Sequence, residues 1–521
     1  MFFYLLLIQY ICRNSYEVKF FYLLFIFIPF ISNAQEETIT VPVEGTLIFT
    51  GQSSILPIAD ELNGGFSFLK VDQAKITANK INDKGDVIKV IEAKIPNKLG
   101  SFLDAIHLSN KLRLFFSRKK DMGYMDIDFE TGTVEEHVIE DVYSKNEKII
   151  GYYGANNRFY TLLVSKDSQI SLYEFNENQD PKKIEFKEGV SIIKDKELAN
   201  KFFKKKSIIS IIKQNEESSF TLNYNPKKIY VSDNTIQLTV DYYVDEKGAD
   251  HITDIYTLNL LDYSVSYHKV PFPNIEKQRN IKKEIRSRSY LKNGLLFQLV
   301  NNKEEIKVQI VDYKTQEVLN TFGMNDFSLG NFNNTNKNEI PKFGKNEKVE
   351  IEKIDKFIKS VYRNKSSIAV YESEDEYTIK VGALEIIDKN HRLNAMNSTP
   401  DIVSYSIDPF FAAVTFGVLI GAIIYSKTKS NPPNYGTTNS IYLNEKDLLE
   451  YSSTITIDKL DFQSKNKEAI TSIYEKSRTH EKSLRDTKIR LVKPSLFKIR
   501  GEYYFSYFSI KERSFLITKL D

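Results

Sequence analysis

Cysteine is almost missing from this sequence: Cys12 is the only one in 521 residues. It lies upstream of the segment read below as a secretory signal, so the chain beyond Ala34 carries no thiol. That excludes disulfides and cysteine-ligated zinc there, and it leaves no cysteine at the cut to carry a lipid. An excess of one charge is missing too. Lys and Arg number 72 against 69 Asp and Glu, and removing Arg13, Lys19 and Glu17 leaves 70 against 68 beyond Ala34. Such a balance produces no global pull toward nucleic acid. Histidine is scarce and scattered. His107, His137, His251, His268, His391 and His480 never fall within five residues of one another, so no local zinc pair of the HExxH kind exists. No GxSxG elbow and no phosphate-cradling glycine loop occurs. The sequence therefore points to no cofactor and no metal. A triad assembled from distant residues stays open.

The N-terminus carries an address. Lys19 precedes an unbroken apolar run from Phe20 to Ile31, followed by Ser32, Asn33, Ala34 and the polar Gln35. A cation, a short apolar core and small residues at −3 and −1 define a secretory signal. The expected cut separates Ala34 from Gln35, with Ser32 and Ala34 as the small residues. The competing reading is a membrane anchor, but a twelve-residue helix reaches only ~18 Å, short of the ~30 Å hydrocarbon core. Residues 1–17 hold a second apolar run that a signal does not need, and we read it as an upstream extension of a frame that starts near Val18. Residues 35–521 are expected to form one domain working outside the cytoplasm: periplasmic, at the cell surface or secreted.

Tyr and Phe are abundant, at 31 and 35, which favours strands. A unit recurs without a fixed period: an apolar strand, a polar turn, an alternating strand, another turn and a polar edge strand. Lys111–Phe116 and Gly123–Phe129 form one copy, and Arg158–Val164 with Gln169–Phe175 another. Further copies begin at Ile236, Gly294, Ser367, about 441 and Glu502, and Ser207–Tyr224 is a weak candidate for one more. The first strand should be buried on both faces and the second on one. The fold class that follows is all-β: a β-propeller of about seven irregular four-stranded blades with a few short peripheral helices. A β-sandwich is the structural alternative. The terminal strand Ser514–Leu520 and the strand from Thr38 are expected to complete one blade together.

In its signal ending ISNAQ and units such as FYTLLVSKDSQISLYEF, the chain resembles exported bacterial β-propeller-like proteins of unassigned function. The resemblance implies a fold and a compartment and carries over no functional residue.

Several segments interrupt the repeat. Asn325–Lys348 reads as a surface loop. Ile351, Ile354, Ile358 and Val361 have helical spacing, as do Ile470, Ile473 and Tyr474 within 465–485. The anomaly is Pro409–Tyr425, uncharged and flanked by Asp408 and Lys427. As a helix it spans ~25 Å, at the lower edge of a membrane crossing. Ala413, Gly417 and Gly421 recur every four residues, the spacing that lets helices approach in lipid. Three readings compete: a transmembrane helix, a hydrophobic excursion touching membrane or partner, and a buried strand pair. Phe410, Phe411, Phe416, Leu419 and Ile424 supply the apolar contact surface in the second.

Asp126, Asp128 and Glu130 resemble the start of a calcium loop, but Gly132 sits one place late and His137 occupies the position of the bidentate carboxylate. They are better placed on the wet face of a strand. The basic stretch from Lys277 to Lys292, including Arg279, Lys282, Lys283, Arg286 and Arg288, reads as a solvated inter-blade loop. So do Lys204–Lys206 and the acidic Glu372–Glu376. The function expected is a non-enzymatic binding or scaffold module whose partner is a protein or surface glycan. The alternatives are a membrane-associated envelope component using 409–426, and a propeller-type hydrolase or lyase with a channel site.

Overall fold

The computed structural model describes residues 38–520 apart from 43–53, 187–208, 276–284, 340–347, 387–440 and loop stretches of five residues or fewer. Ser32, Ala34 and Gln35 of the expected signal and the apolar run 409–425 lie outside the described residues.

The chain folds as seven predominantly antiparallel sheets in a propeller-like arrangement. Blade 1 is Ser54–Ala59, Phe66–Val71, Lys75–Ile81 and Val87–Lys94. Blade 2 covers 101–139, blade 3 covers 147–185, blade 4 covers 210–271 and blade 5 covers 286–325. Blade 6 is built on Lys365–Glu372, Glu376–Ile386 and Leu448–Asp458, and blade 7 on Leu491–Ile499, Glu502–Ser509 and Ser514–Leu520. The expected closure is present. Thr38–Pro42 runs antiparallel to the C-terminal strand, from Thr38 opposite Thr518 to Pro42 opposite Ser514. One strand from the start of the chain thereby completes the last blade, so the first and last sheets cannot drift apart independently.

The blade count agrees with the sequence reading, but the bookkeeping differs. Blade 1 has no counterpart among the expected copies. The unit expected at about 441 is divided. Ile441–Tyr442 pairs with Leu496 and Ser495 of blade 7, while Leu448–Asp458 joins the sheet of the unit at Ser367, because Glu376–Ile386 pairs with it along its whole length. The stretch 207–224 adds no blade. Its Ser210–Lys213 lies parallel to Lys227–Val231 as an extra inner strand of blade 4. Part of the loop expected at 325–348 is strand: Asn336–Glu339 pairs with Leu448–Asp458 on one side and with the edge strand Lys348–Glu350 on the other. Both expected helices exist: α1, Ile354–Arg363, and α2, Ile473–Asp486.

A strand between two neighbouring blades is covered on both faces, and this drives the core. Phe66, Phe68, Phe497, Phe508 and Phe515 join blades 7 and 1. Phe115 of blade 2 stacks on Phe159 of blade 3 at 3.9 Å and 10°. Shared apolar clusters continue through blades 3 and 4, and then through 4, 5 and 6. Between blades 6 and 7 the described residues share no such cluster. There α2 and a set of buried ions take its place.

A turn recurs at the entry to the outer strand of blades 2, 4, 5 and 6. Asp128, Asn259, Asp312 and Asp458 each accept, through Oδ1, the backbone N–H two residues on. Four residues after each, Gly132, Tyr263, Gln316 and Phe462 have φ of 78°, 59°, 63° and 57°. A side chain in that region costs roughly 1–2 kcal/mol. Tyr263 and Phe462 offset this by packing their rings against the core.

Candidate functional site

Among the described residues, the strongest convergence of ionisable groups lies where blades 4, 6 and 7 meet. The segment 214–225, between the two innermost strands of blade 4, reaches three other blades. Lys292 of blade 5 donates to the Gln214 carbonyl at 2.9 Å, and Ser367 of blade 6 donates to the Phe220 carbonyl. The Tyr503 hydroxyl of blade 7 accepts the Glu217 N–H at 2.9 Å. A dozen residues can touch all three only on the inner side of the ring. Locally, Ser219 accepts the Thr221 N–H and caps the 3-10 turn Phe220–Leu222.

Helix α2 is anchored to this segment. Ser472 accepts the Glu475 N–H, and the Glu475 carboxylate accepts the Ser472 N–H, so two orphan donors of the first turn are satisfied reciprocally. The other Glu475 oxygen takes Lys380 Nζ at 2.7 Å. Glu450, fully buried, lies 2.6 Å from Lys380 Nζ and 3.2 Å from Arg478 Nη1. Glu217 accepts the Ile473 N–H at 2.7 Å, and the Tyr474 hydroxyl donates to its carbonyl.

Electrostatics decide what this cluster can do. Burial works against the Glu450 carboxylate, but Lys380 and Arg478 outweigh it and hold its pKa down to about 2. Burial likewise opposes the Lys380 ammonium, yet Glu450 and Glu475 raise its pKa above the usual lysine value. A general acid or base works best with a pKa near the operating pH. Lys380 and Glu450 are both driven away from it, so the pair is a permanent ionic clasp. Glu217 is the exception, since burial raises its carboxyl.

The sequence-predicted residues fall elsewhere. Asp126 is buried and paired with Arg113 through two bonds of 2.6 and 2.7 Å, while Arg113 Nη1 donates to the Asn176 carbonyl of blade 3. The wet-face placement of Asp126 is thus corrected: the neighbouring blade covers that face. Asp128 caps its own turn, and the backbone N–H groups of Thr131 and Glu130 lower its pKa. Among the described residues no three His, Cys, Asp or Glu are grouped to hold a metal. His107 is buried 3.6 Å from Asp60, and burial lowers its pKa to about 4. His391 lies outside the described residues.

The basic stretch is also corrected in part. Arg286, Arg288 and Lys292 belong to the inner strand of blade 5, where they donate to the carbonyls of Asn364, Tyr224 and Gln214. Lys277, Arg279, Lys282, Lys283 and Lys204–Lys206 lie outside the described residues. Glu372 is held by Lys459 and Lys292, and Glu376 by Lys465. The clasp residues left no sequence signal beyond the S-x-x-E box at Ser472.

No family model matches the chain, and no curated protein does. Among solved structures it is similar to an apocarotenoid oxygenase from Synechocystis, at 7% identity and a TM-score of 0.28, over 52% of this chain and 62% of that one. The chain thus spans less than two thirds of that protein. An uncharacterized protein from Listeria monocytogenes is similar at 11% identity and a TM-score of 0.29, over 65% and 94%. The dihydro-heme d1 dehydrogenase NirN is similar at 10% identity and a TM-score of 0.23, over 50% and 45%.

Proposed function

We propose that the chain is an exported, non-enzymatic scaffold whose ring of blades carries the apolar segment 409–425 to a membrane surface or partner protein. The supporting observation is the pairing of the two strands that flank this segment. Glu376–Ile386 and Leu448–Asp458 run antiparallel in register, ending with Ile386 opposite Leu448. Whatever lies between 387 and 447 therefore leaves and returns at one end of one blade. A chain that returns to its starting side crosses a membrane an even number of times, and this stretch holds one apolar run long enough to span. A single transmembrane crossing that separates the last blades from the rest is incompatible with that pairing. Between the two readings left, the Pro-Pro and Tyr-Gly turns at Pro432–Gly436 favour a protruding excursion over a buried strand pair, with contact through Phe410, Phe411, Phe416, Leu419 and Ile424 and with Ala413, Gly417 and Gly421 allowing close approach.

The clasp supports a scaffold over an enzyme, since Lys380 and Glu450 neutralise each other. Loops at the rim supply the surface for a protein or a glycan. Deleting Phe410–Tyr425 tests the proposal. The variant should unfold at the same temperature as the parent and lose carbonate-resistant association with the membrane fraction or co-purification of its partner. Identical fractionation of both proteins would reject the contact role.

A further inference from the structure

The seam between blades 4 and 5 contains a lysine withdrawn from solvent. Lys228 lies on the strand Lys227–Val231 and is fully buried. Asp241 Oδ2 is 3.8 Å from its Nζ, beyond hydrogen-bond reach. Among the described residues Nζ has no hydrogen-bond partner. Asp241 is committed elsewhere: Oδ1 accepts the Thr253 and Ser289 hydroxyls at 2.9 and 2.7 Å, and Oδ2 accepts the Ser289 N–H at 2.8 Å.

A second cation sits beside it. Arg288, on the facing inner strand of blade 5, gives its Nε and Nη1 protons to the carbonyls of Tyr224 and Ser287. Neither acceptor carries a charge, and among the described residues Asp241 is the carboxylate that acts on both cations. Burial is the main cause that lowers Lys228 to about 8, with Asp241 opposing it and Arg288 reinforcing it. At neutral pH the ammonium is still mostly protonated. A buried charge without compensation costs several kcal/mol. Water would satisfy an N–H but leave the charge in place.

We propose that this seam binds a small monovalent anion of halide size, held by Lys228 Nζ with Arg288 as its second positive neighbour. Tyr230 lies two residues along the strand from Lys228, Ser289 is bonded to Asp241 and Gln298 sits opposite Ser289; all three are fully buried, which favours a compact ion over a phosphate or a carboxylate ligand. The ion joins blade 4 to blade 5 and is structural, so its presence is independent of the scaffold role above.

Bromide soaked into crystals of the full chain tests this directly. Anomalous scattering should place bromide in contact with Lys228 Nζ in the parent and not in Lys228→Met. In solution at fixed ionic strength, the parent should unfold at a higher temperature in chloride or bromide than in gluconate, and Lys228→Met should not distinguish them. No bromide at Lys228, or an equal halide response in both proteins, overturns the proposal. If Lys228→Met does not fold, the bromide density in the parent decides alone.

Discussion

Lys380 Nζ lies 2.6 Å from Glu450 Oε1, and the two side chains are 4% and 0% exposed. The pair stands at the one seam where the described residues of neighbouring blades share no apolar cluster. Removing one partner from a buried pair leaves an uncompensated charge, which costs about 3–5 kcal/mol. Glu450→Gln should therefore destabilise the chain by that amount in urea unfolding at pH 7. The pH dependence has a definite sign. Glu450 ordinarily titrates near 4.5 and is held to about 2 in the fold. Its contribution is complete above about 4.5 and is lost as pH falls toward 2. Acid titration of stability should lose that portion of its slope in Glu450→Gln, and an unchanged slope would count against the clasp.

Phe115 and Phe159 are both fully buried and stack across the seam of blades 2 and 3. Phe115→Ala removes the ring and leaves a cavity that a rigid seam cannot collapse. A loss of about 3–5 kcal/mol is expected. Urea midpoints for Phe115→Ala and Phe115→Leu check it, with the leucine variant losing less.

Val41 is 2% exposed and sits opposite Phe515 in the closing strand. Val41→Asp would bury an unpaired carboxylate between blades 7 and 1. We expect a loss of roughly 3 kcal/mol and earlier proteolytic cleavage near both chain ends. Protease resistance equal to the parent's would show that the ring closes without this strand.

Gly382 lies on the strand Glu376–Ile386, opposite Ser452 of Leu448–Asp458. A Cβ there would fall 1.8 Å from the Tyr451 carbonyl oxygen, and φ is +159°. Gly382→Ala must push the hairpin apart, at about 1–3 kcal/mol. Hydrogen exchange should accelerate at the amides of Val381 and Ala383, with the strands of blades 2 and 3 unaffected.

The second and third strands of most blades were legible in the chain because they are apolar enough to show a period: Arg158–Ser165 and Ile170–Phe175 are examples. The inner strands were not. Ser101–His107, with Asp104 and His107 in it, was not singled out, and Arg286–Lys292, with two arginines and a lysine, read as part of an inter-blade loop. Their polar groups are buried only because a neighbouring blade covers them, and a local pattern cannot register a partner from another blade. The recurring turn was present in the sequence as Asp128, Asn259, Asp312 and Asp458, but its spacing is irregular and its fifth position changes from Gly132 to Tyr263.

Hydrophobic alternation, which acts between residues a few positions apart, was enough to establish strands, a sheet repeat, two helices and closure through the ends. Which strands share a sheet, and which charges neutralise which, depended on contacts spanning much of the chain. Glu217 meets Ile473 and Lys380 meets Glu450 because the ring brings them together. Burial and pairing, which turn those side chains from surface charges into a clasp, exist only once the blades have packed.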